Sequence, residues 1–328
     1  MRKLAWLVAL AAVLASCGGG SGDRILPLPP GVYVAGVIYQ NGPERKACYW
    51  HGSRRIVLEG AIAGSVEYIS VSGDMVLVKS QDCYWANGVR HEITGADKIK
   101  VAAYGGKVYK LQNSELLVDG SLKIDFSAYG FYPKDFAIHN GDVYIAGIFL
   151  DEGSTVACYY VWDRMGLERR DIAANTDKFS FIPGTVAVAG SGNVFVVGSG
   201  GADYGHDNSW LYDGGAFTEL FEYGGHGTAK RILEYDGRVW VFNGPRTEAD
   251  LLDGISYFFV WINGWPIPVI DENNAGSFIE DICASGGLLC SAGSQYNFAR
   301  SEFQAWCSFG GVRYYLDGSS ATAIFIAE

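Results

Sequence analysis

One short phrase recurs seven times along the 328 residues, and it confines the chain to a narrow set of folds. Its clearest copy is GDVYIAG, Gly141–Gly147: a turn glycine, a run alternating apolar with small or aromatic residues, and a closing Gly. The same shape returns as GVYVAG at 31–36, GDMVLV at 73–78, GKVYKL at 106–111, GNVFVVG at 192–198 and GRVWVF at 237–242. A looser copy, GLLCSAG, stands at 287–293. Period-two alternation bounded by glycine reads as a β-strand entered from a tight turn.

Each copy carries the same neighbours. After it, past a loop of variable length, comes an aromatic or apolar cluster that ends in Gly: CYWHG at 48–52, CYWANG at 83–88, LLVDG at 116–120, YVWDRMG at 160–166, WLYDG at 210–214, VWING at 260–264 and WCSFGG at 306–311. A short apolar run follows. Before every copy but the first lies another strand-like run, such as VEYISVSG, KDFAIHNG or IEDICASGG. One unit is therefore four short strands joined by Asn-Gly or Asp-Gly type hairpins. The motif glycines Gly31, Gly73, Gly106, Gly141, Gly192, Gly237 and Gly287 are spaced by 42, 33, 35, 51, 45 and 50 residues. Four strands per period of that size predict an all-β chain folded as a single β-propeller. An aromatic content of 14%, 44 glycines and only three methionines agree with strands and tight turns.

The ends of the chain complete this reading. The first copy lacks a preceding strand, and the last segment, Ala321–Ala327 (ATAIFIA), is such a strand with nothing after it. The C-terminal strand should complete the first blade, closing a ring of seven four-stranded blades and removing its exposed edges. Six and eight are the counts left open by the short second and third units.

The N-terminus predicts an address. Arg2 and Lys3 precede an apolar run from Leu4 to Leu14, too short for a permanent membrane span and suited to a signal peptide. It ends in Leu14-Ala15-Ser16-Cys17, which resembles the bacterial lipobox. That resemblance implies removal of residues 1–16 and lipidation of Cys17, with 17–30, including GGGSG, as anchor and tether before a propeller domain at 31–328. Gly rather than Asp at position 18 implies the outer membrane of the cell envelope. The lipobox, the VYVAG-like strand and the YWxNG-like hairpin together resemble a group of propeller lipoproteins of the Bacteroidota. The likeness runs from residue 31 to the end and is weakest in the third unit, where Leu117 and Val118 replace the aromatics. It implies a periplasmic or surface-facing position and transfers no catalytic residue.

The formal charge of −11 argues against nucleic acid and anionic membrane surfaces as partners. Cys48, Cys83 and Cys158 recur at matching places in their units, with Cys307 close to the same place. Equivalent positions in different units lie far apart, so these read as small buried hydrophobes rather than disulfide partners. Cys283 and Cys290 flank one hairpin, where a bond is allowed by the spacing but not expected. The repeated aromatics Trp50, Trp85, Trp162 and Trp261 read as packing between blades rather than a carbohydrate platform.

Function is expected where the repeat breaks down. The links from second to third strand are minimal at Lys79–Asp82 and Leu111–Ser114, but long at 198–209, 244–256 and 294–302. On that face the candidate ligand-binding residues are Tyr204, His206, Asp207, Asn208, Arg246, Tyr296 and Arg300, joined by Tyr223 and His226 from links between units. Phe179, Phe181 and Asn274 belong to the same group. Rings mixed with hydrogen-bonding groups suit a glycan or a protein partner. No metal, cofactor or catalytic set is expected. The five histidines show no zinc spacing, and DENNAG at 271–276 fails as a calcium loop at Ala275 and Ile282. The leading expectation is a non-catalytic binding lipoprotein. Its rivals are a polysaccharide lyase or hydrolase using His206 and Tyr204, and a structural subunit of an envelope assembly.

Overall fold

The computed structural model describes residues 27–39, 44–62, 64–93, 99–151, 154–174, 180–201, 208–220, 229–235, 237–243, 258–262, 265–269, 277–285, 288–297 and 302–327. Among them the all-β expectation holds: the one helical element is a single 3-10 turn, Phe126–Tyr129. The described strands form seven four-stranded antiparallel sheets. Six are continuous stretches of chain. The first is not: Val32–Tyr39, Arg45–His51 and Arg54–Ala61 are joined by Ser320–Ile326, which pairs antiparallel with Val32–Tyr39.

Every sheet has at one edge what we term a lead strand. In sheet order these are Ser320–Ile326, Val66–Ser72, Lys100–Tyr104, Phe131–His139, Ser180–Val188, Ala229–Tyr235 and Ser277–Ser285. The repeated phrase forms the strand beside it: Val32–Tyr39, Met75–Ser80, Lys107–Gln112, Asp142–Asp151, Val194–Gly201, Arg238–Asn243 and Leu288–Asn297. Each lead strand touches that of the next sheet, and Ser277–Ser285 touches Ser320–Ile326, which touches Val66–Ser72.

The hairpin signals act as their chemistry requires. Asn87-Gly88, Asp119-Gly120 and Asn140-Gly141 all place both turn residues at positive φ (51° and 79°, 50° and 75°, 53° and 92°). That is the type I′ geometry whose twist matches the flanking strands. Two of these turns also fasten the neighbouring strand, since Asn87 Oδ1 accepts from Val76 N at 3.0 Å and Asp119 Oδ1 from Val108 N at 2.9 Å.

The Gly that closes the phrase has a different cause. In six sheets the pairing between lead and second strand slips by one residue at the same place, with Glu67, Lys134, Gly184, Lys230, Glu280 and Thr322 as the extra residue of the lead strand. Such a bulge bends the lead strand toward its partner. The carbonyl oxygens of Ser320, Tyr132 and Ile182 then occupy the space that a Cβ at Gly36, Gly147 or Gly198 would need. At Gly147 the Phe131 ring also stands in the way, its Cζ 2.7 Å from that position. Gly147→Ala is therefore expected to cost about 3 kcal/mol, because a backbone oxygen cannot swing aside as a side chain would. Thermal melts should show a midpoint lower by roughly 5–10 °C. Gly190→Ala, with nothing within 4 Å, should stay within about 0.5 kcal/mol of the parent.

The cores lie between sheets. Trp50 packs with Cys290, Ala292 and Cys307 of the seventh sheet, and Trp85 with Ala35, Val37 and Ala323 of the first. Trp162 is half-buried against the Leu116–Phe131 cluster. These three indoles serve packing, as expected, and the Trp261 side chain lies outside the described residues. All six cysteines from Cys48 onward are buried free thiols. Burial pushes Cys158 and Cys307 up to about 12, and Cys48 upward as well, which suits inert core groups. Cys283 and Cys290 stand directly opposite each other in the seventh sheet, both as thiols.

Candidate functional site

The strands locate the ends of the three links expected to be long, which join second to third strands in the fifth, sixth and seventh sheets and run over 202–207, 244–257 and 298–301. The last is a correction: the strands extend into the expected loop at 294–302 and leave a link shorter than the 40–44 link of the first sheet. In the second and third sheets the same link is a two-residue turn, Gln81–Asp82 and Asn113–Ser114. The described strands thus take residues from both ends of the expected loops. Asn208 opens the third strand of the fifth sheet opposite Gly200. Tyr296 lies within the second strand of the seventh sheet opposite Phe303, half-buried, with its ring edge-on at 5.1 Å. Tyr204, His206, Asp207, Tyr223, His226, Arg246 and Arg300, together with Phe179, Asn274 and the expected lipidation site Cys17, lie outside the described residues. Phe181 is a correction. It sits in a lead strand rather than a link, is fully buried, and packs edge-on to Phe217 at 5.2 Å. The bulge of that strand at Gly184 turns it into the core.

A second constellation stands where the lead strands meet. The residue immediately after each bulge occupies an equivalent place in its sheet: Ala323, Tyr68, Asp135, Thr185, Arg231 and Asp281. Counting back from its hairpin, Lys100 takes that place in the third sheet. Four of these seven, Lys100, Asp135, Arg231 and Asp281, are charged residues, and they are paired. Lys100 Nζ lies 3.3 Å from Asp135 Oδ1, and Arg231 Nη2 donates to Asp281 Oδ2 at 2.6 Å.

Each carboxylate also reaches forward to the next sheet. Asp135 Oδ2 accepts from Val186 N at 3.1 Å, and Asp281 Oδ2 accepts from Ile324 N at 3.0 Å. A lead strand is an edge strand, so alternate N–H groups along it have no partner within their own sheet, and a buried donor left so is costly. One Asp therefore ties three successive sheets, through a cation from the sheet before and a backbone amide of the sheet after. The device occurs twice, across sheets three to five and across sheets six, seven and one. Between sheets two and three, hydroxyls do the same work: Ser70 Oγ accepts from Ala103 N at 3.2 Å and Ser72 Oγ from Gly105 N at 2.8 Å.

The electrostatics follow from this arrangement. The Asp135 carboxylate holds the Lys100 ammonium above its ordinary value, against the opposing effect of burial. For Arg231 burial works to remove the charge, but Asp281 and other neighbours outweigh it and the guanidinium is held up. Burial pushes the Tyr68 phenol up, so it stays a neutral donor. Beside these, Lys79 pairs with Glu67. The sequence marked this place only as polar residues inside apolar lead strands, in VEYISVSG, KDFAIHNG, KRILEYDG and IEDICASGG. Counted back from the motif glycines Gly106, Gly141, Gly237 and Gly287, the residues Lys100, Asp135, Arg231 and Asp281 all stand six positions earlier, and that recurrence was the signal that could have found them.

Comparisons place this architecture among known folds. The β-propeller domain of the Trilobed protease from Pyrococcus furiosus, described as having an open velcro topology, matches with a TM-score of 0.52 at 12% identity, over 90% of this chain and 98% of that one. An acylaminoacyl peptidase from Pyrococcus horikoshii gives 0.49 at 11% identity, over 88% of this chain and 51% of that one. Apo AztD from Citrobacter koseri gives 0.45 at 10% identity, over 90% and 98%. No protein-family profile matches the sequence, and no curated protein matches it. At these identities the first likeness shows the fold alone: the chain has β-propeller architecture.

Proposed function

We propose that this chain is a closed propeller of seven four-stranded blades, lipid-anchored through Cys17 in the outer membrane, that acts as a non-catalytic binding scaffold for a protein partner or a glycan. Seven sheets among the described residues, with lead strands in unbroken succession, support the blade count. The pairing of Ser320–Ile326 with Val32–Tyr39 supports closure.

One observation carries the binding role. Two consecutive sheets, the fifth and the sixth, have the longest links between second and third strands, 202–207 and 244–257, while the second, third and fourth sheets have two-residue links there. Those links start where second strands end, beside the beginnings of the lead strands, so they rise from one end and one sector of the ring. A rigid frame that varies in one sector is how loops are positioned for recognition. Aromatic and hydrogen-bonding residues are concentrated in the sequence of the same links, including Tyr204, His206, Asp207 and Arg246.

The test uses the soluble chain from Gly22 onward. Native gels cast with a panel of polysaccharides report glycan binding, and cross-linking on intact cells reports a protein partner. Replacing Tyr204, His206 and Tyr296 together by Ala is expected to abolish whichever interaction is found, with Tyr296→Ala alone as the control for the stability lost with its edge-on contact to Phe303. Undiminished binding by the triple variant would remove these loops as the site.

A further inference from the structure

The lead strands meet around a common axis, and the hydrogen bonds fix where their polar side chains lie. Asp135 and Asp281 bond to amides on the free edge of the next lead strand, which faces away from its own sheet. Both carboxylates therefore sit on the axial side of the strands. Lys100 and Arg231 reach those same carboxylates, so their charged ends lie there too.

Acceptor and donor capacities around this ring are unequal. Asp135 spends Oδ1 on Lys100 and Oδ2 on Val186 N. Asp281 spends Oδ2 on Arg231 and on Ile324 N, while its Oδ1 is shut away from solvent without a hydrogen-bond partner. Neither has an exposed acceptor left to offer. The cations do have donors left. An ammonium carries three N–H groups and a guanidinium five, and the side chains of Lys100 and Arg231 remain 45% and 21% exposed. The Tyr68 phenol, kept protonated by burial, adds a hydroxyl on the sheet between Ala323 and Lys100. Of the two acids at the adjoining bulge positions, Glu67 is engaged by Lys79, and Glu280 is engaged as well. A chain of formal charge −11 thus turns unspent cationic donors toward its axis.

We propose that the axial ring is a binding site for a small oxyanion, a carboxylate or phosphate group, held by Lys100 and Arg231 with Tyr68 as a neutral donor. Arg231 presents a planar fork suited to two oxygens of one anion, and Lys100 a point charge. The two cations belong to the third and sixth sheets, on different arcs of the ring, which favours a dianion over a monoanion. The inference rests on the succession of lead strands and not on the loop sector. Loss of partner binding in the loop variant would leave it standing.

Calorimetric titration of the soluble chain at low ionic strength tests it, with succinate and inorganic phosphate as probes and choline chloride as the control salt. Saturable one-site binding of either probe is expected, with no matching heat from the chloride. Binding of succinate alone would assign a carboxylate ligand, and of phosphate alone a phosphorylated one. Lys100→Gln, at a half-exposed side chain, should fold normally and weaken binding about tenfold or more. Arg231→Lys, which keeps the charge beside Asp281, should weaken it by roughly fivefold through loss of the fork. No saturable heat with either probe would overturn the proposal. So would an affinity unchanged in Lys100→Gln, provided circular dichroism shows that variant folded.

Discussion

A chain ending at Gly318 is expected to express as insoluble material or as a non-cooperatively melting species. The cut removes Ser320–Ile326, seven residues of which Ala321, Ala323 and Ile324 are fully buried. Ile324 belongs to the cluster that joins the seventh sheet to the first, and Ala323 to the one that joins the first to the second. Losing the strand exposes both clusters at once. It also strips Val32–Tyr39 of one hydrogen-bonding partner, creating an apolar edge of the kind that recruits other chains. At about 25 cal/mol per Å² of apolar surface, uncovering two inter-sheet faces approaches the whole stability of an ordinary domain. Urea unfolding followed by tryptophan fluorescence, with light scattering for aggregates, is the measurement. Adding the peptide Ser319–Glu328 in trans should restore a cooperative transition. A truncated chain that is soluble, monomeric and melts as sharply as the parent would show that the ring needs no closure, as in an open topology.

Asp281→Ala is expected to cost about 3–5 kcal/mol, the usual consequence of removing one member of a buried ion pair. Three losses coincide. Arg231 keeps a charge that burial disfavours, the Ile324 amide loses its acceptor, and the tie between sheets six, seven and one is cut. Asp135→Ala offers an internal comparison, since its partner Lys100 is half-exposed and can be solvated when the carboxylate is gone. That variant should lose roughly 2 kcal/mol, mostly from the bond to Val186 N. Urea midpoints at a constant m-value give both numbers. Equal and small losses at the two positions would mean that the bridges are ornamental to the ring.

Repetition made the fold legible. A phrase copied seven times fixes the strand type, and the I′ dipeptides Asn87-Gly88, Asp119-Gly120 and Asn140-Gly141 fix the hairpins without tertiary information. The C-terminal partner of Val32–Tyr39 could be counted as a missing strand. Packing roles followed equally directly, because Trp50, Trp85 and the cysteines recur at one strand position and recurrence at one position means one environment. What the sequence hid was register. A one-residue bulge shifts the phase of every residue that precedes it in the lead strand, and Phe181 was misplaced for that reason, lying before the Gly184 bulge where alternation is broken. Asp135, Arg231 and Asp281 follow their bulges and line up six residues before Gly141, Gly237 and Gly287, but nothing in the runs themselves shows that they pair from sheet to sheet. The boundaries of Tyr296 and Asn208 shifted because strands there outlast their hydrophobic pattern, held by ladder bonds that polar residues form as well as apolar ones.

The pairing of Val32–Tyr39 with Ser320–Ile326 also decides how the first sheet responds to tension. Val32 lies opposite Ile326, so the chain enters and leaves at the same end of one antiparallel pair. Force applied between the termini would peel that pair open one bond at a time, the weakest way to load a ladder. Force entering through the N-terminus and leaving through another sheet meets a different geometry. It pulls on Val32–Tyr39, which is flanked on both sides by Ser320–Ile326 and Arg45–His51 and must be dragged lengthwise past both. On the proposed anchoring through Cys17, such a tether would load the first sheet in shear rather than by peeling.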